Sequence, residues 1–471
     1  MKINLIVVAG ESDPLRKVNP FMPLSLPILA GCAPEHDYVF TDLLWEGYDS
    51  IDYNADYDLV GISFRVSATK KAFEIADKFR ANNKTVILGG AQASSIPIKA
   101  KQHADAVVIG EGEPLWPVVL KDYQNNELKD FYICSPIVNS NFDDYKIYRT
   151  DGLPELSKLP LPVRNLYKGK YTFDMVDAAR GCPVDCSFCS VSNIFGKKMR
   201  YKNQDNVLDE ISSFGRHFFL VDDTAFGRKD SYDYYLELYK KLQKLPKKRF
   251  WIAQANLDAA TNNKGRQVIK EASLSGLSYV SIGLESINPD NMRETGITSK
   301  LGITESGDTL EELKNNIEFI QDQGIAISGW FTIGLEHDTF ESCIQSLEFC
   351  DKTNIFPVLN PIQALEGTRY YDELKKEGRL IDQATNVSNV INTSITNKMF
   401  IDLMQIAYDR SYTYKKILKK TIFYYKKIKA QKRGSFNLIH RTILIFMTQV
   451  KLKKVLRQEI FRFSLRIKDE V

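Results

Sequence analysis

The chain has 471 residues, 44% of them apolar and 26% charged, with a formal net charge of +4. That length exceeds one hydrophobic core and predicts two or three globular domains. No apolar run reaches the roughly 18 residues of a membrane span, the opening apolar run is too short for a secretory core, and four of the seven cysteines, Cys32, Cys134, Cys343 and Cys350, show no close pairing pattern, which suits a reducing, cytoplasmic compartment rather than a disulfide scaffold.

Over the first 140 residues apolar runs alternate with helical patterns. Residues 3–9, 38–43, 58–64, 85–88 and 106–109 read as strands, and 68–80 and 94–103 as crossover helices. Apolar strands separated by helices imply an open parallel sheet, which takes its ligand beyond the strands' carboxyl ends. Two turns sit there: Leu88-Gly89-Gly90-Ala91 and Gly110-Glu111-Gly112-Glu113-Pro114. Glycine lets backbone approach a bulky ligand, although ordinary strand-to-helix turns look the same. With Asp58-Leu59-Val60-Gly61-Ile62-Ser63-Phe64, the order of these motifs resembles the cobalamin-binding domain that precedes many radical S-adenosylmethionine (SAM) modules. The resemblance implies cobalamin contacts at Ser63, Gly89, Gly90, Gly110, Glu111 and Gly112. It departs in one respect: there is no Asp-x-His-x-x-Gly, whose histidine ligates cobalt in many such proteins, and neither His36 nor His103 has that context.

Periodicity fades from 125 to 167, and Leu159-Pro160-Leu161-Pro162 reads as extended linker. Then comes Ala178-Ala179-Arg180-Gly181-Cys182-Pro183-Val184-Asp185-Cys186-Ser187-Phe188-Cys189. Three thiolates this close on one loop suit three corners of a cubane iron–sulfur cluster and leave one iron open. A zinc site wants a fourth ligand, and none is near in sequence. The Cys-x3-Cys-x2-Cys spacing, with aromatic Phe188 before the last cysteine, resembles the radical SAM superfamily. In that family the open iron chelates SAM, and an electron from the cluster splits the sulfonium to a 5′-deoxyadenosyl radical.

Six strand candidates follow, at 173–179, 218–221, 250–254, 279–283, 325–333 and 356–362, with helical stretches at 206–214, 231–245, 264–275, 310–323, 340–352 and 369–376. Six β/α units predict a partial barrel with its chemistry at the strand C-termini. Asp222-Asp223 offers two carboxylates for an ammonium group, or one helix cap. Gln254 and Asn256 share a strand face at period two. Gly283-Leu284-Glu285-Ser286 resembles this branch of the superfamily, which implies that Glu285 reaches the SAM ribose. His337 is an acid/base candidate near the barrel mouth, and His217 reads as packed or solvated.

From Tyr414 onward 17 Lys/Arg face 3 Asp/Glu, a local +14, so the remainder of this +4 chain carries −10. Here basic pairs alternate with apolar pairs, predicting helices with an apolar stripe and a lysine-rich opposite face. Such helices suit an anionic membrane surface or, equally, an ordinary domain helix with solvated lysines; nucleic acid is the less favoured acidic partner.

The expected fold class is α/β: a doubly wound parallel sheet over 1–140, a linker over 141–169, a partial (β/α)6 TIM barrel over 170–380 and a basic helical region over 381–471. The resemblance implies a [4Fe–4S] cluster, SAM and cobalamin, methylation of an unactivated carbon of a small or lipid-like substrate, and an electron donor such as flavodoxin or ferredoxin. The expected setting is cytoplasmic, with peripheral contact at the inner face of the membrane. The alternative is radical SAM chemistry without cobalamin: hydrogen abstraction with cyclisation, rearrangement or oxidation.

Overall fold

The computed structural model describes residues 1–8, 21–136, 140–303, 309–381, 387–392 and 394–468. Two compact units emerge: Met1–Pro183 with Ser190–Glu210, and Val184–Cys189 with Ile211–Val471.

In the first unit, β1 (Lys2–Val8), β2 (Asp37–Asp42), β3 (Leu59–Phe64), β4 (Thr85–Gly89), β5 (Ala106–Gly110), β6 (Phe131–Cys134) and β7 (Ile147–Arg149) form one sheet. Their order is β2-β1-β3-β4-β5-β6-β7, with every pairing parallel. Both faces are covered. Helix Thr69–Ala81 buries Phe73 and Phe79 with Val60 and Ile62 on one side. On the other, Leu26 of helix Ser25–Cys32 and Trp116 of helix Trp116–Gln124 pack with Leu5 and Ile87. Burial on both faces is why the strands read as continuous apolar runs. The chain order reverses at β1 and β3, where Ser63 lies opposite Val7.

Four features differ from the sequence reading, the first being β6, a buried strand that was not expected. The helix expected at 94–103 is two short helices, Ala91–Ser95 and Pro97–Lys101. Pro97 disfavours helical backbone at the preceding residue, and Ile96 takes φ −126°, ψ 51°. The stretch taken as linker supplies an edge strand, β7, whose residues are all exposed and so carry no apolar periodicity. The strand expected at 173–179 is two pieces, β8 (Asp174–Val176) and β9 (Ala179–Arg180), the latter antiparallel to β10 (Arg200–Tyr201). Ala9 and part of the polar stretch 384–398 lie outside the described residues.

In the second unit, β11 (His217–Leu220), β12 (Phe250–Ala255), β13 (Leu277–Glu285), β14 (Ala326–Ile333) and β15 (Phe356–Pro361) pair in parallel in chain order, as a β/α barrel requires. Helices Tyr232–Leu242, Asn263–Leu274, Thr309–Asp322 and Phe340–Lys352 join successive strands. From Ser281 and Ser328 onward, burial alternates along β13 and β14: Ser281, Gly283 and Glu285, like Trp330 and Thr332, keep partial exposure between buried neighbours. One sheet face therefore stays open toward the strand C-termini.

The basic tail is docked on this barrel. Helices Asn397–Ser411, Tyr414–Ala430 and Ser435–Lys468 make it up. Tyr412 Oη donates to Pro357 O (2.9 Å) and Tyr424 Oη to Asn354 O (3.2 Å). The expected stripe is corrected in one respect: Lys420 lies within it, buried, and donates to Ile355 O. Arg441 is fully buried and has no carboxylate partner among the described residues; its guanidinium donates to Leu277 O, to Gly324 O (2.8 Å) and to Ser273 Oγ (3.3 Å). Burial lowers its pKa to about 9. Arg441→Met leaves two buried carbonyls without donors, so a loss of about 3 kcal/mol is expected by denaturant titration. An unchanged midpoint would show that the tail does not depend on this contact.

Candidate active site

The cysteine loop is held by backbone. Gly181 takes φ +99°, and a Cβ there would meet Lys198 O at 2.3 Å, so the turn out of β9 requires glycine. Cys182 N–H donates to Gly196 O (3.1 Å). Further on, Ser187 N–H donates to Thr295 O, Tyr370 N–H to Ser187 O, and Arg369 to Asp185 O (2.6 Å). Cys186 is buried, while Cys182 and Cys189 are partly exposed. Burial pushes the Cys186 thiol above its usual range, and Lys300 opposes that shift. Phe188 packs against a cluster containing Leu335, Ile362 and Leu374, so it anchors the loop on the late strands.

Lys300, which no sequence signal marked, lies on the short helix Thr298–Leu301 of the second unit and reaches the C-terminal end of β13. It is largely buried, and its Nζ lies 2.7 Å from Glu285 Oε1. The second Glu285 oxygen accepts from Thr332 Oγ1 at 2.8 Å. Lys300 is also electrostatically coupled to Cys186 and Cys189. Glu285 itself is left-handed (φ +57°), a conformation costing about 1 kcal/mol in a non-glycine residue, and the β13–β14 register shifts beside it. Gly283 makes room: a Cβ there would meet Glu285 Oε1 at 2.3 Å and Lys300 Nζ at 2.9 Å. The Gly-Leu-Glu-Ser segment thus holds a carboxylate folded back over its own strand.

The two adjacent aspartates part company. Asp222 is buried and accepts from Tyr235 Oη (2.7 Å). Asp223 has no hydrogen bond or ion pair to the described residues, and burial alone raises its pKa to about 6. Thr224 Oγ1 and Arg228 Nη1, nearby in the chain, and Asp258 Oδ1, after β12, are buried polar atoms lacking a hydrogen-bond partner among the described residues. Arg228 and Asp258 form an ion pair (3.3 Å) that leaves those atoms over. Gln254 is exposed, whereas Asn256 is buried and falls just past the end of β12, so the period-two reading stops short of it. His217 opens β11 at its N-terminal end, away from the C-termini, and His337 is exposed and pairs with Glu294 (3.1 Å).

In the first unit, Gly90 takes φ +89°, and a Cβ there would meet Ser63 Oγ at 2.6 Å. Gly110 takes φ +82° and donates its N–H to Ser94 Oγ (2.9 Å); a Cβ would lie 2.0 Å from Cys134 O. Gly89, Gly90 and Gly110 therefore end strands β4 and β5 with bare backbone, beside the Ser63 hydroxyl near the end of β3. Glu111 and Gly112 follow in the same turn, and their surroundings are distinct. The Glu111 carboxylate is fully buried between Arg180 (2.7 Å) and Arg200. Arg180 also pairs with Glu113 (2.7 Å) and Asp177 (2.9 Å), and Lys202 with Asp177 (2.6 Å). Gly112 packs close to Leu29. His103 stacks on Phe73 and pairs with Asp77, and His36 lies beside Glu35, so neither stands at a strand C-terminus.

Residues 176–350 match the model of the Radical SAM superfamily. The chain is 27% identical over 426 residues to the bacteriochlorophyllide d C-8(2)-methyltransferase of Chlorobaculum tepidum, covering 87% of this chain and 89% of that one. Among solved structures it resembles the cobalamin-dependent SAM radical enzyme OxsB with aqua-cobalamin and SAM bound (TM-score 0.66, 14% identity, 100% of this chain and 80% of that one). It also resembles the methyltransferase TsrM of Kitasatospora setae with cobalamin and a [4Fe-4S] cluster bound (TM-score 0.62, 15% identity, 81% and 79%).

The buried Glu111 pairs carry a prediction. Glu111→Gln leaves Arg180 and Arg200 short of a buried counter-charge and is expected to cost about 3 kcal/mol of stability in cofactor-free protein. Weaker cobalamin binding with unchanged stability would instead make this carboxylate a cofactor contact.

Proposed function

We propose, from the premise that this chain is a radical SAM enzyme, that it methylates an unactivated carbon of a hydrophobic small molecule with cobalamin as methyl carrier. The observation that carries this reading is the site around Cys186: Cys186 and Cys189 lie within electrostatic reach of a buried Lys300–Glu285 pair, and the same unit holds buried polar atoms that lack partners among the described residues.

The donor set fits a cluster with one open iron. Cys182, Cys186 and Cys189 are the thiols of the loop, and a thiol buried as Cys186 is becomes a thiolate when a metal takes its proton's place. Lys300 offsets part of that negative charge. The neighbouring groups fit SAM: Asp223 matches an ammonium, and Arg228 Nη1, Thr224 Oγ1, Gln254 and Asn256 offer hydrogen bonds to polar atoms. Glu285 keeps acceptor capacity for ribose hydroxyls after its bonds to Lys300 and Thr332. In the N-terminal region, 1–140, the glycine turns beside Ser63 offer backbone at the switch point, which fits a large planar cofactor. When bound, the cluster supplies the electron that splits SAM, and cobalamin carries the methyl group.

Region 170–380 on this reading is the radical SAM barrel, and 381–471 is its basic helical extension. The substrate class follows the bacteriochlorophyllide-modifying relative: an apolar molecule of tetrapyrrole or lipid-like kind. A flavodoxin or ferredoxin supplies electrons, and the chain works in the cytoplasm with peripheral contact at the membrane's inner face.

Reconstituted protein with reductant, cobalamin and substrate is expected to convert SAM to 5′-deoxyadenosine and S-adenosylhomocysteine together. 5′-Deoxyadenosine alone would replace methylation with another radical outcome. A pH series adds a check. Asp223 must be ionised to hold an ammonium, so SAM affinity is expected to fall below pH ~6, approaching roughly tenfold per unit. The dependence flattens in Asp223→Asn, at lower affinity throughout; a wild-type profile that stays flat down to pH 5 would remove Asp223 from the site.

A further inference from the structure

The tail helices are apolar on two sides, and packing accounts for only one. On Tyr414–Ala430, Ile417, Tyr424 and Ile428 are buried. A second row, Tyr414, Leu418, Ile422 and Tyr425, recurs at four, four and three residues and is 61, 52, 47 and 37% exposed. The next helix repeats this. Leu444, Ile445 and Leu456 are buried, while Ile439, Ile443 and Met447, spaced four and four, are 43–52% exposed. Phe461 and Leu465 return to the same face about four turns on. Ten of the 17 large exposed apolar side chains among the described residues lie in these two helices.

The charge beside the row decides what it meets. Lys415, Lys419, Lys426 and Lys429 are exposed and follow one flank of the first row at helical spacing. They belong to the stretch of +14 net charge. A second copy of the chain would bring the same positive field, which opposes face-to-face pairing. Nucleic acid would use the lysines but not the exposed leucine, isoleucines and methionine. No described helix is long and apolar enough to cross a membrane. An amphipathic basic surface of this kind lies in the interface plane of an anionic bilayer.

We propose that the outer rows of helices Tyr414–Ala430 and Ser435–Lys468 form the face by which the protein docks on anionic lipid. This specifies the peripheral contact proposed above and does not depend on the radical chemistry. The inner rows fix the helices to the barrel, so docking needs no refolding: the leucine and isoleucines enter the acyl boundary while the lysines meet phosphate headgroups.

The test is flotation of the full-length reconstituted protein with vesicles of phosphatidylcholine alone and with added phosphatidylglycerol. Wild type is expected to float with the anionic vesicles and to lose most of that binding in high salt. Leu418→Ser with Ile443→Ser, and separately Lys419→Glu with Lys426→Glu, are each expected to weaken it at least tenfold. Thermal melting and reductive SAM cleavage in solution should stay at wild-type values, so loss of docking is distinguishable from misfolding and from failure of the catalytic reading. Four results would overturn the proposal: no flotation, equal binding by the Ser variants, equal binding to both vesicle types, or a salt-stable dimer that the Ser variants dissociate.

Discussion

A buried thiol cannot hold its own charge in a low-dielectric setting, and the site is built around that constraint. Burial drives Cys186 toward the neutral form, so only a metal or a nearby cation makes it a thiolate. Lys300 opposes that shift without reversing it, since it is already tied to Glu285, which leaves the metal to complete the thiolate. Glu285 reaches it by leaving ordinary backbone space, with Gly283 emptied of side chain to let the carboxylate fold back. A glycine, a left-handed glutamate, a buried lysine and two cysteines thus form one electrostatic unit. Strain of this kind persists where the surroundings over-determine it, as a pre-organised site does.

The first unit solves a similar problem with many charges. Arg180, two residues before Cys182, is enclosed by Glu111, Glu113 and Asp177, and Arg200 closes on Glu111 from the other side. The network ties the turn after β5 to the strand that delivers the first cysteine. Removing one member strands the others, so the turn and the strand are fixed together.

Much of the fold was legible because buried strands and amphipathic helices leave strong periodicity. Five strands of each parallel sheet, β1–β5 and β11–β15, and all six helices expected from 206 to 376 lie within a few residues of their expected places. The cysteine spacing and Gly-Leu-Glu-Ser were legible because their chemistry is local. What stayed hidden depends on distant partners. Nothing around Lys300 in sequence distinguishes it from a surface lysine, since its partner is fifteen residues away on another element. Asp222 and Asp223 are alike as letters, and only Tyr235, one helix on, separates them. The arginines that enclose Glu111 could not be foreseen, because they lie about 70 and 90 positions downstream. The edge strand β7 was invisible because exposed residues carry no apolar signal.

The central claim is that three cysteines on one loop hold an iron–sulfur cluster and that a cobalamin accompanies it. Iron, acid-labile sulfide, cobalt and zinc quantified together in protein prepared without oxygen test it most directly. The account predicts about four iron and four sulfide per chain, retained cobalt, and loss of iron and sulfide in Cys186→Ser. Zinc without sulfide, or a Cys186→Ser variant with a full complement of iron and sulfide, would contradict it.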